Sequence, residues 1–99
     1  MTYSVTVRLS AEQDLADAQD WYNEQRSGLG DEFRGAVDTL LGRLAESPLI
    51  YPTVYLDVRR AVLKRFPYLL YFSIRANSVT VLACLHSSRS PRLHKSRIR

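Results

Sequence analysis

The sequence predicts an α+β domain of order β-α-α-β-β-β, with a helix hairpin packed on one face of a small antiparallel sheet. Three observations carry that prediction. Polarity alternates with period two over the first residues, apolar residues then recur at three- and four-residue spacing in two stretches, and three β-branched and aromatic runs follow. Ninety-nine residues suffice for one hydrophobic core and leave too little for two, so residues 1–99 are expected to form a single domain.

Each element has its own signal. Tyr3, Val5, Val7 and Leu9 alternate with Ser4, Thr6 and Arg8, the pattern of a half-buried strand. Ser10 reads as the cap of the first helix, with Gln13 as its capping-box partner and Glu12 and Asp14 in the first turn. Leu15, Ala18 and Tyr22, flanked by Ala11 and Trp21, form the apolar stripe of a helix over residues 11–26. Gly28-Leu29-Gly30 makes the turn. Phe33, Val37, Leu40, Leu41 and Leu44 then repeat at helical spacing until Ser47-Pro48 stops the second helix. Gly35 and Gly42 lie inside that helix, where each costs about 0.5–1 kcal/mol relative to alanine, and close approach of a neighbouring backbone is the expected gain.

Residues 47–57 hold two prolines and no clean period, which predicts an ordered loop. Strands are expected over 58–64, 68–75 and 79–85, linked closely enough to form an antiparallel meander. Strict alternation places Val79, Val81, Ala83 and Leu85 on one face of the last strand and Cys84 and His86 on the other. Residues 89–99 read as a basic tail, with His94 solvated among Arg92, Lys95 and Arg97.

Charge divides the chain more sharply than its net value of +4 suggests. Residues 1–57 carry all ten carboxylates and four arginines, a balance of −6. Residues 58–99 carry ten basic side chains and no Asp or Glu, a balance of +10. A half without carboxylates points to an anionic partner, because an ordinary solvated face mixes both signs. The basic candidates are Arg59, Arg60, Arg65, Arg89 and Arg92, joined by Tyr68 or Tyr71 and by His86 where the last strand ends. Together they predict a concave patch on the uncovered sheet face and its C-terminal rim.

Several functions are excluded. No apolar run approaches the length of a membrane span. The N-terminus shows no secretory signal, so a cytoplasmic location is expected. One cysteine and two histidines cannot build a metal cluster or an internal disulfide, and there is no phosphate-cradling glycine loop. No cofactor is therefore expected. Cys84, in an apolar strand, reads as a small buried hydrophobe.

The motifs in order resemble the RelE/ParE toxin family of bacterial type II toxin–antitoxin modules. They are Arg8-Leu9-Ser10-Ala11, Trp21-Tyr22, Gly28-Leu29-Gly30 before Phe33, Val58-Arg59-Arg60, Phe66-Pro67-Tyr68 leading to Tyr71-Phe72, and His86-Ser87-Ser88-Arg89-Ser90-Pro91-Arg92. The resemblance spans most of the chain. It implies a small toxin neutralised by a cognate antitoxin, with contacts expected at Trp21, Leu29 and Tyr51. It also implies one of two targets, DNA gyrase or the mRNA in the ribosomal A site.

Cleavage of RNA needs a base for the 2′-hydroxyl, an acid for the leaving oxygen and a cation on the phosphate. Arg60 and Arg65 could hold the phosphate, with His86 and Tyr68 moving protons. Gyrase poisoning needs only a binding surface. No carboxylate follows Asp57, and no aromatic follows Phe72 where RNase-type members of the family often carry one near the end of the chain, so the resemblance favours poisoning over cleavage. A basic nucleic-acid-binding module without toxicity would explain the charge split, but not the order of the motifs.

Overall fold

The computed structural model describes residues 2–98. Strand β1 (Ser4–Val7) leads into helices α1 (Leu9–Gln25) and α2 (Leu29–Glu46), then a single 3-10 turn, Pro48–Ile50. Strands β2 (Thr53–Tyr55), β3 (Val58–Val62), β4 (Tyr68–Arg75) and β5 (Ser78–His86) follow, and helix α3 (Pro91–Arg97) ends the chain. The sheet order is β1-β5-β4-β3-β2. The predicted meander of β3, β4 and β5 is antiparallel throughout, whereas β1 pairs with β5 in parallel, from Ser4 opposite Ser78 to Val7 opposite Val81. The sheet is therefore mixed. A parallel neighbour needs a long crossover, and here the helix hairpin and the rest of the sheet supply it.

Helix α1 starts earlier than its sequence pattern indicates. Arg8 is the cap residue and offers no side-chain bond to the helix, while Ser10 lies inside the first turn, so the Ser10–Gln13 capping box does not form. Tertiary contacts fix the start instead. The Arg8 backbone N–H donates to the Val81 carbonyl at 3.1 Å, and its guanidinium donates to the carbonyls of Leu82 (2.8 Å) and Arg97 (2.6 Å). Gln13 turns along the helix to donate to Asp17 at 2.9 Å.

Two hydrophobic layers sandwich the sheet. The larger lies under the helix hairpin and includes Leu15, Phe33, Val37, Leu44, Leu70, Phe72, Val79 and Val81, all fully buried. The smaller, on the opposite face, gathers Val58, Tyr71, Ala83, Leu85 and Ile98. The face expected to be open is thus partly covered, because the basic tail folds as α3 and returns to the sheet. Ser90 caps α3, accepting from the Leu93 N–H at 3.2 Å, with Pro91 in its first turn. Arg99, the last residue of that tail, lies outside the described residues.

A β-bulge divides β5 between the two layers. Tyr71 pairs with Ala83 and Phe72 with Val81, so Leu82 is the extra residue. The four residues expected on one face therefore separate, Val79 and Val81 facing the helices and Ala83 and Leu85 facing α3. Asp14 of α1 accepts from the Cys84 N–H at 3.0 Å and holds the bulge from the helix side.

Cys84 is buried, as expected, and burial together with the nearby Asp14 carboxylate pushes its thiol up to about 12. It stays protonated and is no nucleophile at neutral pH. An exposed thiol releases its proton near pH 9, so between 9 and 12 the folded state holds a proton that the unfolded chain loses. Stability is then intact below pH 9 and declines above it, by at most about 1.4 kcal/mol per pH unit from this residue. Melting curves at pH 8 and pH 10.5 should show a lower transition at the higher pH, and Cys84→Ala should shrink the difference.

The glycines also depart from expectation. A side chain at Gly35 or Gly42 would meet open space, so no backbone approaches either of them. The close approach occurs at Gly30, beside the Gln19 carbonyl of α1.

Candidate functional site

The end of β5 and the turn after it separate two concave surfaces. On the far face of the sheet, a cavity of about 350 Å³ lies between β2, β3, β4 and α3. Alternation along β3 turns Arg60 toward it, α3 brings Lys95, and Arg89 closes one side. Tyr71 and Leu69 of β4, with Tyr55 of β2, are among its other lining residues, and Lys95 sits 4.8 Å above the Tyr55 ring. No Asp or Glu is among the lining residues. Three cations on an aromatic floor make this surface complementary to an anion.

His94 also borders that cavity and is buried, contrary to the expected solvation. One ring nitrogen, Nε2, lies 3.0 Å from the His86 carbonyl, which can only accept, so Nε2 carries the proton. The Tyr71 hydroxyl then donates to Nδ1 at 2.6 Å. Both nitrogens are thereby used in fastening α3 to the sheet.

The second surface, of about 520 Å³, lies on the helix side, where α1 meets the end of β5. It is bordered by Trp21, Tyr68, His86 and Arg89, and by Asp14, Asp17 and Arg97. Tyr68 and His86 are register partners in β4 and β5, and their rings meet edge to face at 5.2 Å. His86 Nδ1 accepts from the Ser88 N–H at 3.0 Å and lies 2.7 Å from the Ser88 hydroxyl, so the neutral ring bears its proton on Nε2. Burial, aided by Tyr22 and Cys84 and opposed by Arg89, raises the Tyr68 phenol above its ordinary value. The phenol therefore stays protonated near neutral pH. Two carboxylates face two guanidiniums here, and Asp14 is already paired with Arg97 at 2.9 Å. The surface is balanced in charge.

The structure thus distributes the predicted basic patch. Arg60 and Arg89 meet on the far face, while Tyr68, His86 and Arg89 meet on the helix side. Arg59 turns away from both and donates to the carbonyls of Leu49 and Tyr51, bracing the loop before β2. Arg65 lies at the β3–β4 turn with φ of 72° and pairs with Glu32 of α2 at 2.8 Å. That pair and a second bond from Arg26 hold the Glu32 carboxyl below its ordinary value. Arg92 is exposed on α3. Lys95 and His94 were expected in a solvated tail; Ser90-Pro91 is a helix-start signal for α3, but no signal in the sequence places that helix on the sheet.

The residues expected to meet an antitoxin are also separated. Trp21 is 55% exposed beside His86, Leu29 packs against the main core, and Tyr51 stacks on Phe72 at the opposite end. Among the described residues, no group of His, Cys, Asp and Glu converges as a metal site, and no helix is long and apolar enough to cross a membrane.

Solved structures share this architecture. The chromosomal ParDE system from P. aeruginosa includes a chain that matches with a TM-score of 0.77 at 17% identity, over 86% of this chain and 96% of that one. A variant of the E. coli toxin RelE in the free state matches with a TM-score of 0.67 at 14% identity, over 99% of this chain and 96% of that one. Isolated E. coli RelE gives 0.65 at 17% identity, over 95% and 94%. The fold is that of the RelE/ParE toxins. The family model described as ParE toxin of type II toxin-antitoxin system, parDE, matches residues 5–91, and the chain belongs to that family. No curated protein matches it significantly in sequence.

Proposed function

We propose that this ParE-family toxin arrests growth by poisoning DNA gyrase through its far-face cationic cavity, and that a cognate antitoxin neutralises it. One observation supports poisoning over RNA cleavage. At the cationic cavity the imidazole, His94, has both nitrogens committed within the fold, whereas His86, whose Nε2 remains available, borders the charge-balanced surface. Arg60 and Lys95 are thereby set apart from the proton-transfer pair, with Arg89 alone bordering both surfaces, while a cleavage site needs phosphate binding and proton transfer on the same few atoms. Of the four residues a nuclease would use, Tyr68 and His86 are adjacent, Arg60 is on the other face, and Arg65 is paired with Glu32.

The second reading is ribosome-dependent mRNA cleavage, for which the Tyr68–His86 contact beside Arg89 is the favouring observation. Expression of His86→Ala decides between them. Under gyrase poisoning it arrests growth like the parent, cleaved gyrase–DNA complexes accumulate, and mRNA stays intact. The paired change Arg60→Glu and Arg89→Glu should reduce those complexes at least about tenfold. Cleavage of mRNA on translating ribosomes, abolished by His86→Ala, would overturn the proposal. Harmless expression of the parent without any antitoxin would leave a nucleic-acid-binding module.

A further inference from the structure

The far-face cavity gathers three cations that the rest of the fold leaves without counter-charges. Arg26, Arg34, Arg65 and Arg97 each pair with a carboxylate. Among the described residues, Arg60, Arg89 and Lys95 pair with none, although Arg60 is half-buried. Like charges gathered in one concavity repel one another, and an anion bound among them relieves that repulsion.

Shape narrows the choice of anion. A nucleic-acid duplex carries one charge per about 1.7 Å of its axis, so cations that follow it spread along a track. Here β3, the turn after β5 and α3 bring their cations to a single cavity of about 350 Å³. Small-molecule sites commonly measure about 300–1,000 Å³. That geometry suits a compact polyanion. Much of the remaining lining is apolar or aromatic, with Tyr55, Leu69 and Ile98 among it, so the ligand carries a flat, weakly polar body beside its charges. The Tyr55 ring offers the platform for that body, since it already holds the Lys95 ammonium at 4.8 Å, and Lys95 is an exposed, flexible side chain.

We propose that the cavity binds a free nucleoside di- or triphosphate. Its phosphates lie among Arg60, Arg89 and Lys95, and its base stacks on Tyr55 as Lys95 swings from the ring to the phosphates. His94 and Tyr71 commit their polar side-chain atoms to each other and to the His86 carbonyl, which leaves no base there to activate water. The nucleotide is held and not hydrolysed. This ligand goes beyond the gyrase reading and does not require it. Competition between nucleotide and gyrase for the same cations is the one consequence that rests on that reading.

The test titrates the full chain by calorimetry with ATP, GTP, tripolyphosphate and a single-stranded oligodeoxynucleotide. ATP or GTP should bind one to one and saturably, with a Kd below about 1 mM. Arg60→Gln and Lys95→Gln should each weaken that binding at least about fivefold. Arg43→Gln removes an equal charge from an exposed position in the last turn of α2 and should change it less than about twofold. Tyr55→Ala should weaken ATP at least about fivefold and leave tripolyphosphate unaffected. Circular dichroism checks that each variant is folded. Failure of both nucleotides to bind, or an equal loss in Arg43→Gln and Arg60→Gln, would overturn the proposal. Tripolyphosphate binding as tightly as ATP, with Tyr55→Ala affecting neither, would overturn the assignment of a nucleoside. An oligodeoxynucleotide that binds and that ATP fails to displace would give the cavity to a nucleic-acid strand instead. Gyrase–DNA complexes are scored in a separate assay, so failure of the gyrase reading leaves the binding result standing.

Discussion

Gly30→Ala should lower the melting temperature by about 15 °C or prevent folding altogether, the largest effect expected of a single methyl group in this chain. Gly30 opens α2 where it crosses α1, and its N–H donates to the Asn23 side chain at 2.7 Å. A Cβ there would run into the Gln19 carbonyl and the Asn23 side chain. Asn23 could rotate, but the Gln19 carbonyl belongs to the interior of α1 and cannot move unless the helices part. Parting them opens the layer around Tyr22 and Phe33, whose rings lie 5.4 Å apart. Overpacking of this kind costs about 1–3 kcal/mol, and the lost Gly30–Asn23 bond adds to it; each kcal/mol shifts the transition by about 4–8 °C in a domain of this size. Gly35→Ala and Gly42→Ala supply the internal control. Both positions are exposed with open space for a methyl group, so each change should stabilise α2 by about 0.5–1 kcal/mol.

Asp14→Ala should destabilise the protein by about 2–4 kcal/mol in urea unfolding, and Asp14→Asn by roughly half as much. The Asp14 side chain is 13% exposed, and it binds two groups that nothing else satisfies equally. One is the Cys84 N–H, which lies beyond the last pair of β1 with β5, Val7 and Val81; the other is the Arg97 guanidinium at 2.9 Å. Asparagine keeps an oxygen for Cys84 and loses the charge facing Arg97, so the two variants separate the bulge from the ion pair. Arg97 is in the last turn of α3, and its carbonyl accepts from Arg8. Limited proteolysis of Asp14→Ala should therefore cut first near α3. Equal stability of the alanine and asparagine variants would show that the Cys84 N–H needs no acceptor.

The helix hairpin and the meander were legible because each buries one face, and burial on one face writes its period into the sequence. Phe33, Val37, Leu40 and Leu44 stand on the core side of α2 as their spacing requires. What the pattern concealed were features set by contacts across the chain. The start of α1 depends on Arg8 meeting Leu82 and Arg97, residues more than seventy positions away. The bulge at Leu82 inserts one residue into an unbroken alternation, so Ala83 and Leu85 exchange faces with no change in composition. Helix α3 was obscured by charge, since its one buried residue, His94, and Ile98 just after it stand among cations. The same concealment dispersed the candidate site. Arg59 and Arg65 look like Arg60 in the sequence, and only the fold reveals that the first two brace a loop and a turn.

The parallel pairing of β1 with β5 bears on when the toxin first becomes active. Ser4 meets Ser78 across a separation of 74 residues, so the first strand made has no neighbour in the sheet until the last strand has been synthesised. At about 5–20 residues per second, the nascent chain spends several seconds holding a helix hairpin whose sheet is unfinished. The far-face cavity forms later still, because Lys95 lies beyond β5 in the chain. The exposed apolar corner at Ile50 and Val62 is thus synthesised before the residues that assemble the cationic surface.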